Sequence, residues 1–101
     1  MKEPPTKVIF RKFKEVDKQV IAFFPELPAT NDPKWCSSYM HIGQHGVAQP
    51  TADFTDPATP KEYASLKREL ESEPYNYNLR IVKRFSRSQY HKRKAAIASV
   101  N

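Results

Sequence analysis

Glycine is nearly missing from this 101-residue chain: there are two, Gly43 and Gly46, three positions apart. The rest of the chain does without glycine, so Gly43 and Gly46 are expected to meet a local demand: a positive φ, a bulge, or close approach by another backbone or a ligand. There is one cysteine, Cys36, so no internal disulfide can staple the fold and a reducing, cytoplasmic setting is expected. No apolar run approaches the roughly 18 residues needed to span a bilayer, which removes a membrane partner from the expected set. The start, Met1-Lys2-Glu3-Pro4-Pro5, has no apolar core of the secretory-signal kind. Acid is missing altogether from residues 74–101.

That last absence organises the charge. Residues 1–73 carry 10 Lys/Arg and 11 Asp/Glu, a net of −1. Residues 74–101 carry Arg80, Lys83, Arg84, Arg87, Lys92, Arg93 and Lys94, a net of +7, so the whole basic excess is C-terminal. A one-sided distribution of this kind predicts a surface that meets polyanions; the alternative is a solubilising terminus. With 39% apolar residues and 12% aromatics the chain can still bury a single modest core. Nine prolines predict stiff, extended connections.

Lys7–Lys14 (KVIFRKFK) and Gln19–Phe24 (QVIAFF) are β-branched and aromatic, and the four residues between them, Glu15-Val16-Asp17-Lys18, are polar enough for a turn and predict a hairpin. Pro25 is expected to end the second strand. Trp35–His45 reads as a third strand. Its alternation places Tyr39, His41, Gly43 and His45 on one face and Ser38, Met40, Ile42 and Gln44 on the other. Val47–Ala58, with Pro50 and Pro57, reads as a loop. Thr59-Pro60-Lys61-Glu62 has Thr at N-cap, Pro at N1 and Glu at N3, predicting a helix from Pro60 to about Ser72. Tyr63, Leu66 and Leu70 form its buried stripe, with Lys61, Lys67, Arg68 and Glu71 toward solvent. Leu79–Phe85 reads as a fourth strand.

The expected fold is α+β: β-β-β-α-β, a small, mostly antiparallel sheet with one packing helix and a basic C-terminal extension. Residues 1–6 read as a disordered lead-in, 7–85 as a single domain, and 86–101 as a basic tail able to form a short helix.

Four kinds of chemistry come into question. His41 and His45, with Cys36 and His91 or Asp53, carry metal-ligand side chains. On an extended strand, however, residues four apart lie about 13 Å from each other, too far for one zinc ion unless Gly43 kinks the chain, so neither metal nor cofactor is expected. Cys36 or Ser38 with a histidine base would suit a small hydrolase, but no positioned triad is visible and the balance leans away from an enzyme. Nucleic-acid binding asks for cations toward phosphates and planar groups toward bases. Arg80, Arg84, Arg87, Lys92, Arg93 and Lys94 answer the first requirement, and Tyr39, His41, Tyr75, Tyr77 and Tyr90 are the candidates for the second. Tyr39, His41, Gly43, His45 and Gly46 form a second candidate surface for a ligand or partner. The remaining class is a structural or regulatory protein-interaction module, in which an edge strand or the basic tail meets another chain in an assembly.

The KVIFRKFK start, the IAFFPELPA strand, the Tyr39-Met40-His41-Ile42-Gly43-Gln44-His45-Gly46 core and the Ala-Thr-Pro-Lys-Glu-Tyr helix start together resemble a family of small uncharacterised proteins of Bacteroides-type bacteria and their phages or mobile elements. The resemblance spans roughly residues 7–85. It implies a compact protein of the host cytoplasm or a virion and brings no catalytic residues. The reading that follows is a small basic, non-enzymatic protein that contacts nucleic acid through its cationic C-terminal region.

Overall fold

The computed structural model describes residues 5–14, 19–40, 44–50, 53 and 55–100. Among the described residues it has a mostly antiparallel sheet and two helices, an α+β fold as expected. The elements are β1 (Thr6–Phe13), β2 (Val20–Pro28), β3 (Cys36–Met40), β4 (Gln44–Ala48), β5 (Thr55–Pro57), α1 (Pro60–Glu71), β6 (Leu79–Ile81) and α2 (Arg87–Val100).

The sheet runs β4-β3-β2-β1-β5, and β6 also pairs with β1. β1 and β2 form the expected antiparallel hairpin, with Ile9 opposite Phe23 and Arg11 opposite Ile21; the turn residues 15–18 lie outside the described residues. The far edge of β1 is divided. Its first half takes β6 in parallel, Thr6 opposite Leu79, and its second half takes β5 antiparallel, Phe13 opposite Thr55. Thr55 is held there by buried Arg11, whose Nε donates to Thr55 Oγ1 at 2.6 Å and whose guanidinium also reaches the Thr55 carbonyl at 2.8 Å.

Strand alternation sorts the core into two layers. Val8, Phe10, Ala22, Phe24 and Tyr39 point to one face, where Leu66 and Leu70 of α1 close over them. Tyr63, the third residue of the α1 stripe, stacks on Phe10 with ring centroids 4.4 Å apart. Ile9, Ile21, Phe23 and Cys36 point to the opposite face, against Val82 and Phe85. α2 lies along β2 on that second side. The capping box is formed as expected: Thr59 Oγ1 accepts from the Glu62 N–H, and the Glu62 carboxylate accepts from the Thr59 N–H.

Four expectations are corrected. The stretch 35–45 is not one strand but the two arms of a hairpin, β3 and β4, with Tyr39 opposite His45 and Ser38 opposite Gly46. A single strand and a tight hairpin share the same period of two, so alternation does not register the reversal. Second, β2 does not stop at Pro25. It continues to Pro28 because the register shifts between Phe24 and Pro28, and proline, which lacks an N–H, is tolerated at such an irregularity. Third, the stretch 47–58 holds the end of β4 and all of β5. Fourth, the last strand stops at Ile81; Val82 still donates its N–H to the Val8 carbonyl at 2.9 Å, and the chain then leaves β1, with Val82 and Phe85 packing across the second core layer, Phe85 edge-on to Phe23 at 5.2 Å.

Candidate nucleic-acid interface

The basic segment starts on β6 and ends on α2. Arg80 is exposed on β6, Lys83 and Arg84 are exposed in the link that follows, and Arg87 opens α2. Ser86-x-x-Gln89 explains why the helix begins there. The Gln89 Oε1 accepts from the Ser86 N–H at 2.9 Å, and its Nε2 donates to the Arg84 carbonyl at 2.9 Å. This is the reach-back half of a capping box, a signal present in the sequence but obscured there by the surrounding basic residues. Gln89 is buried while doing this, so the link carrying Lys83 and Arg84 is tied to the first turn of α2.

α2 then divides by face. Gln89 and Arg93, four residues apart, are the buried polar side chains of the helix. Lys92 and Lys94 are exposed, with Tyr90 and His91 beside them; the Tyr90 and His91 rings sit 5.6 Å apart. Arg93 is a different kind of cation. It is 4% exposed, and its Nε donates to the Pro33 carbonyl at 2.6 Å while its Nη1 donates to the Pro25 carbonyl at 2.5 Å. A guanidinium presents its donors in a fixed fork, which suits two carbonyls from separate segments. The structure therefore places Arg93 inside the protein, fastening α2 to β2, and leaves Arg80, Lys83, Arg84, Arg87, Lys92 and Lys94 as exposed cations.

Ion pairs among the described residues join Lys7 to Glu26, Lys12 to Glu62 and Lys67 to Glu71. None of them engages the six exposed C-terminal cations. The Lys12 ammonium, 2.7 Å from the Glu62 carboxylate, and the Thr59 N–H hold Glu62 down at about 2.

Of the second candidate surface, Tyr39, His45 and Gly46 are described, and the fold gives each a different setting. His41 and Gly43 lie outside the described residues. Tyr39, expected at a surface, is fully buried in the core layer under α1 and hydrogen-bonds the Glu69 carboxylate. His45 is exposed on the same face, as alternation across the β3–β4 pair requires, with its ring 4.7 Å from Tyr39 and 5.3 Å from Tyr75. Tyr75 arrives through the turn after α1, where the Tyr75 and Asn76 N–H groups both bond the Ser72 carbonyl. Tyr77 continues the row, stacked on Phe24 at 5.3 Å. These rings pack the end of the sheet. Gly46 turns to the other face, opposite Ser38, beside an open, mostly apolar groove of about 430 Å³ that Phe13, Ile21, Phe23 and Met40 also line. A Cβ on Gly46 would stand 3.2 Å from Ser38 Oγ, a tight approach that the serine side chain would have to relieve by a few tenths of an ångström.

Cys36 is buried, and desolvation pushes its thiol up to about 11 against a smaller opposing pull from Arg93. At neutral pH only about one molecule in 10⁴ would hold the thiolate that a nucleophile or a metal ligand requires. Among the described residues no three His, Cys, Asp or Glu side chains gather in a metal-binding group. No helix among them is long and apolar enough to cross a membrane. No protein-family model, no curated protein and no solved structure matches this chain.

Proposed function

We propose that this protein binds nucleic acid through the phosphate backbone, using Arg80, Lys83, Arg84, Arg87, Lys92 and Lys94. The observation that carries the reading is that six exposed cations follow one another along β6, the link and α2 with no ion pair among the described residues and no acid in the last 28 positions. Cations already paired with carboxylates would have to break those contacts to neutralise a phosphate. Free ones release counterions at once, which is the sequence-independent part of nucleic-acid affinity. Tyr90, 38% exposed, and His91 lie among them and offer planar surfaces to unpaired bases. In this reading Arg93 contributes position rather than charge, because it holds the cationic helix against the sheet.

Fluorescence anisotropy with a labelled single-stranded oligonucleotide and its duplex, repeated over a salt series, tests this. Six phosphate contacts correspond to a slope of log K against log salt of about −4 to −5. An Arg87→Ala/Lys92→Ala/Lys94→Ala variant should bind more weakly on every sequence and flatten that slope by about 2 to 3. Removing residues 86–101 does not replace the triple variant, since it also removes Arg93 and with it the whole helix that lies along β2. Absence of binding at low salt, or a triple variant with an unchanged slope, refutes the reading. Retention on heparin with no affinity for either oligonucleotide would favour an acidic protein surface as the partner.

A further inference from the structure

β4 is the outermost strand of the sheet, and the ladder shows which of its peptide groups are unused. The Phe13 N–H bonds the Gln19 carbonyl at 2.9 Å, so odd-numbered residues of β1 and β2 exchange hydrogen bonds. In an antiparallel ladder bonding residues alternate with non-bonding ones along each strand. Even-numbered residues of β2 therefore bond toward β3, where Ala22 meets Tyr39 and Phe24 meets Ser37. Cys36, Ser38 and Met40 then bond toward β4, at Ala48, Gly46 and Gln44. The other edge agrees: the Val82 N–H reaches Val8 and the Ala58 N–H reaches Phe10, both even-numbered residues of β1. His45 and Val47 are left with N–H and C=O groups directed away from the sheet. No further backbone bond among the described residues engages them, and both side chains are exposed, Val47 at 55%.

Protein edges of this kind are normally blunted by a lysine, a proline or a bulge. β4 has none of these. Its five residues, Gln-His-Gly-Val-Ala, carry no lysine or proline, and its register with β3 is unbroken. Residues 44–50 contain no Asp, Glu, Lys or Arg.

We infer that β4 pairs with β4 of a second copy of this chain, antiparallel about a two-fold axis at Gly46, giving a sheet continuous across the dimer. The unused groups have the symmetry this needs. His45 and Val47 flank Gly46, so His45 of one copy meets Val47 of the other twice, using all four outward N–H and C=O groups. Gly46 meets Gly46 as the non-bonded pair on the axis, where Cα atoms approach to about 4.5 Å. A residue without a side chain suits that approach. The exposed Val47 side chain is covered by the His45 ring of the second copy on the same face. Charge permits the approach as well: β6, where the unpaired cations begin, pairs with β1, and β3, β2 and β1 separate it from β4. Two chains of formal charge +6 would meet along strands that carry no charge.

Sedimentation equilibrium of the full chain, without nucleic acid and from about 10 µM to about 500 µM, reads the assembly by mass action. The expected mass rises with concentration toward twice 11.7 kDa. Val47→Pro removes an outward donor while the β3 bonds, made by Gly46 and Ala48, stay in place. Val47→Lys adds an edge charge without constraining the backbone. Both should weaken dimerisation at least tenfold, with the circular dichroism spectrum of the dilute protein unchanged. If Val47→Pro proves misfolded, Val47→Lys alone decides. A wild-type chain that stays at 11.7 kDa throughout overturns the inference. So does a dimer that Val47→Lys leaves intact, or a monomer that takes up an unrelated extended peptide at β4.

Discussion

Replacing Arg93 tests whether α2 is a fastened part of the fold or a cationic appendage. Arg93 lies on the helix face turned to the sheet and donates to two carbonyls, at Pro33 and Pro25, that are 60 and 68 residues away in the chain. Hydrogen bonds from a charged donor are each worth about 1.5–3 kcal/mol, so two of them set a ceiling of about 3–6 kcal/mol. Desolvation of the guanidinium works against this sum, and a well-packed apolar residue would recover part of it. The Pro25 carbonyl, however, would remain buried without a donor, so full recovery is not expected. Arg93→Ala should therefore cost about 3–5 kcal/mol, a large fraction of the roughly 5–15 kcal/mol that holds a small domain together. Arg93→Met should cost less than alanine, and Arg93→Lys should keep about one of the two bonds, since a single ammonium has no fork. Urea unfolding followed by circular dichroism gives the totals, and hydrogen exchange along α2 shows whether the helix detaches before the sheet unfolds. Arg87→Ala and Lys92→Ala, exposed on the same helix, are the controls and should stay within about 0.5 kcal/mol of wild type. An Arg93→Ala protein no less stable than those controls would refute the fastening argument and return Arg93 to the exposed cations.

The capping box gives α1 an acid-sensitive start. Glu62 titrates at about 2 rather than 4.5 because Lys12 and the Thr59 N–H favour its charged form. A carboxyl depressed by folding stabilises the native state above its unfolded pKa, and that contribution disappears as pH falls toward 2. Thermal melts should therefore show wild type losing its advantage over Glu62→Gln between about pH 4.5 and 2, with the two converging below that range; parallel curves would contradict the pairing. At Gly46, an added methyl gains backbone rigidity worth about 0.5–1 kcal/mol in a strand but meets Ser38 Oγ at 3.2 Å. A double-mutant cycle of Gly46→Ala and Ser38→Ala, read by denaturant unfolding at low concentration, should give a coupling of at least about 0.5 kcal/mol, with Gly46→Ala better tolerated once the Ser38 hydroxyl is gone; additive effects would remove Ser38 as the reason for the glycine.

The helix α1 was legible because all its signals are local. Thr59, Pro60 and Glu62 act on backbone groups within one turn, and Leu66 and Leu70 recur at the helical period, so neighbours in sequence supply the information. The β1–β2 hairpin was legible for the same reason. α2 was only half legible. Its buried side carries Gln89 and Arg93 where an amphipathic pattern would place leucines, so its composition reads as a solvated basic segment. Nothing near Arg93 in the chain announces the two proline carbonyls that receive it. The β3–β4 hairpin was hidden differently: Tyr39 and His45 share a face whether the chain runs straight or turns back, so a correct facing was compatible with the wrong path. That path decided the fate of the candidate surface, burying Tyr39 under α1 and putting Gly46 on an open edge.

Sequence alone therefore determined the α+β class, the capped helix and the concentration of positive charge after residue 78, because propensity, capping and net charge are properties of short stretches of chain. Tertiary structure alone decided which cations face solvent and which one is consumed inside, and which strand is left at the edge. Burial and unsatisfied hydrogen-bonding groups depend on the segments brought alongside, here up to 68 residues away, and no local pattern records them.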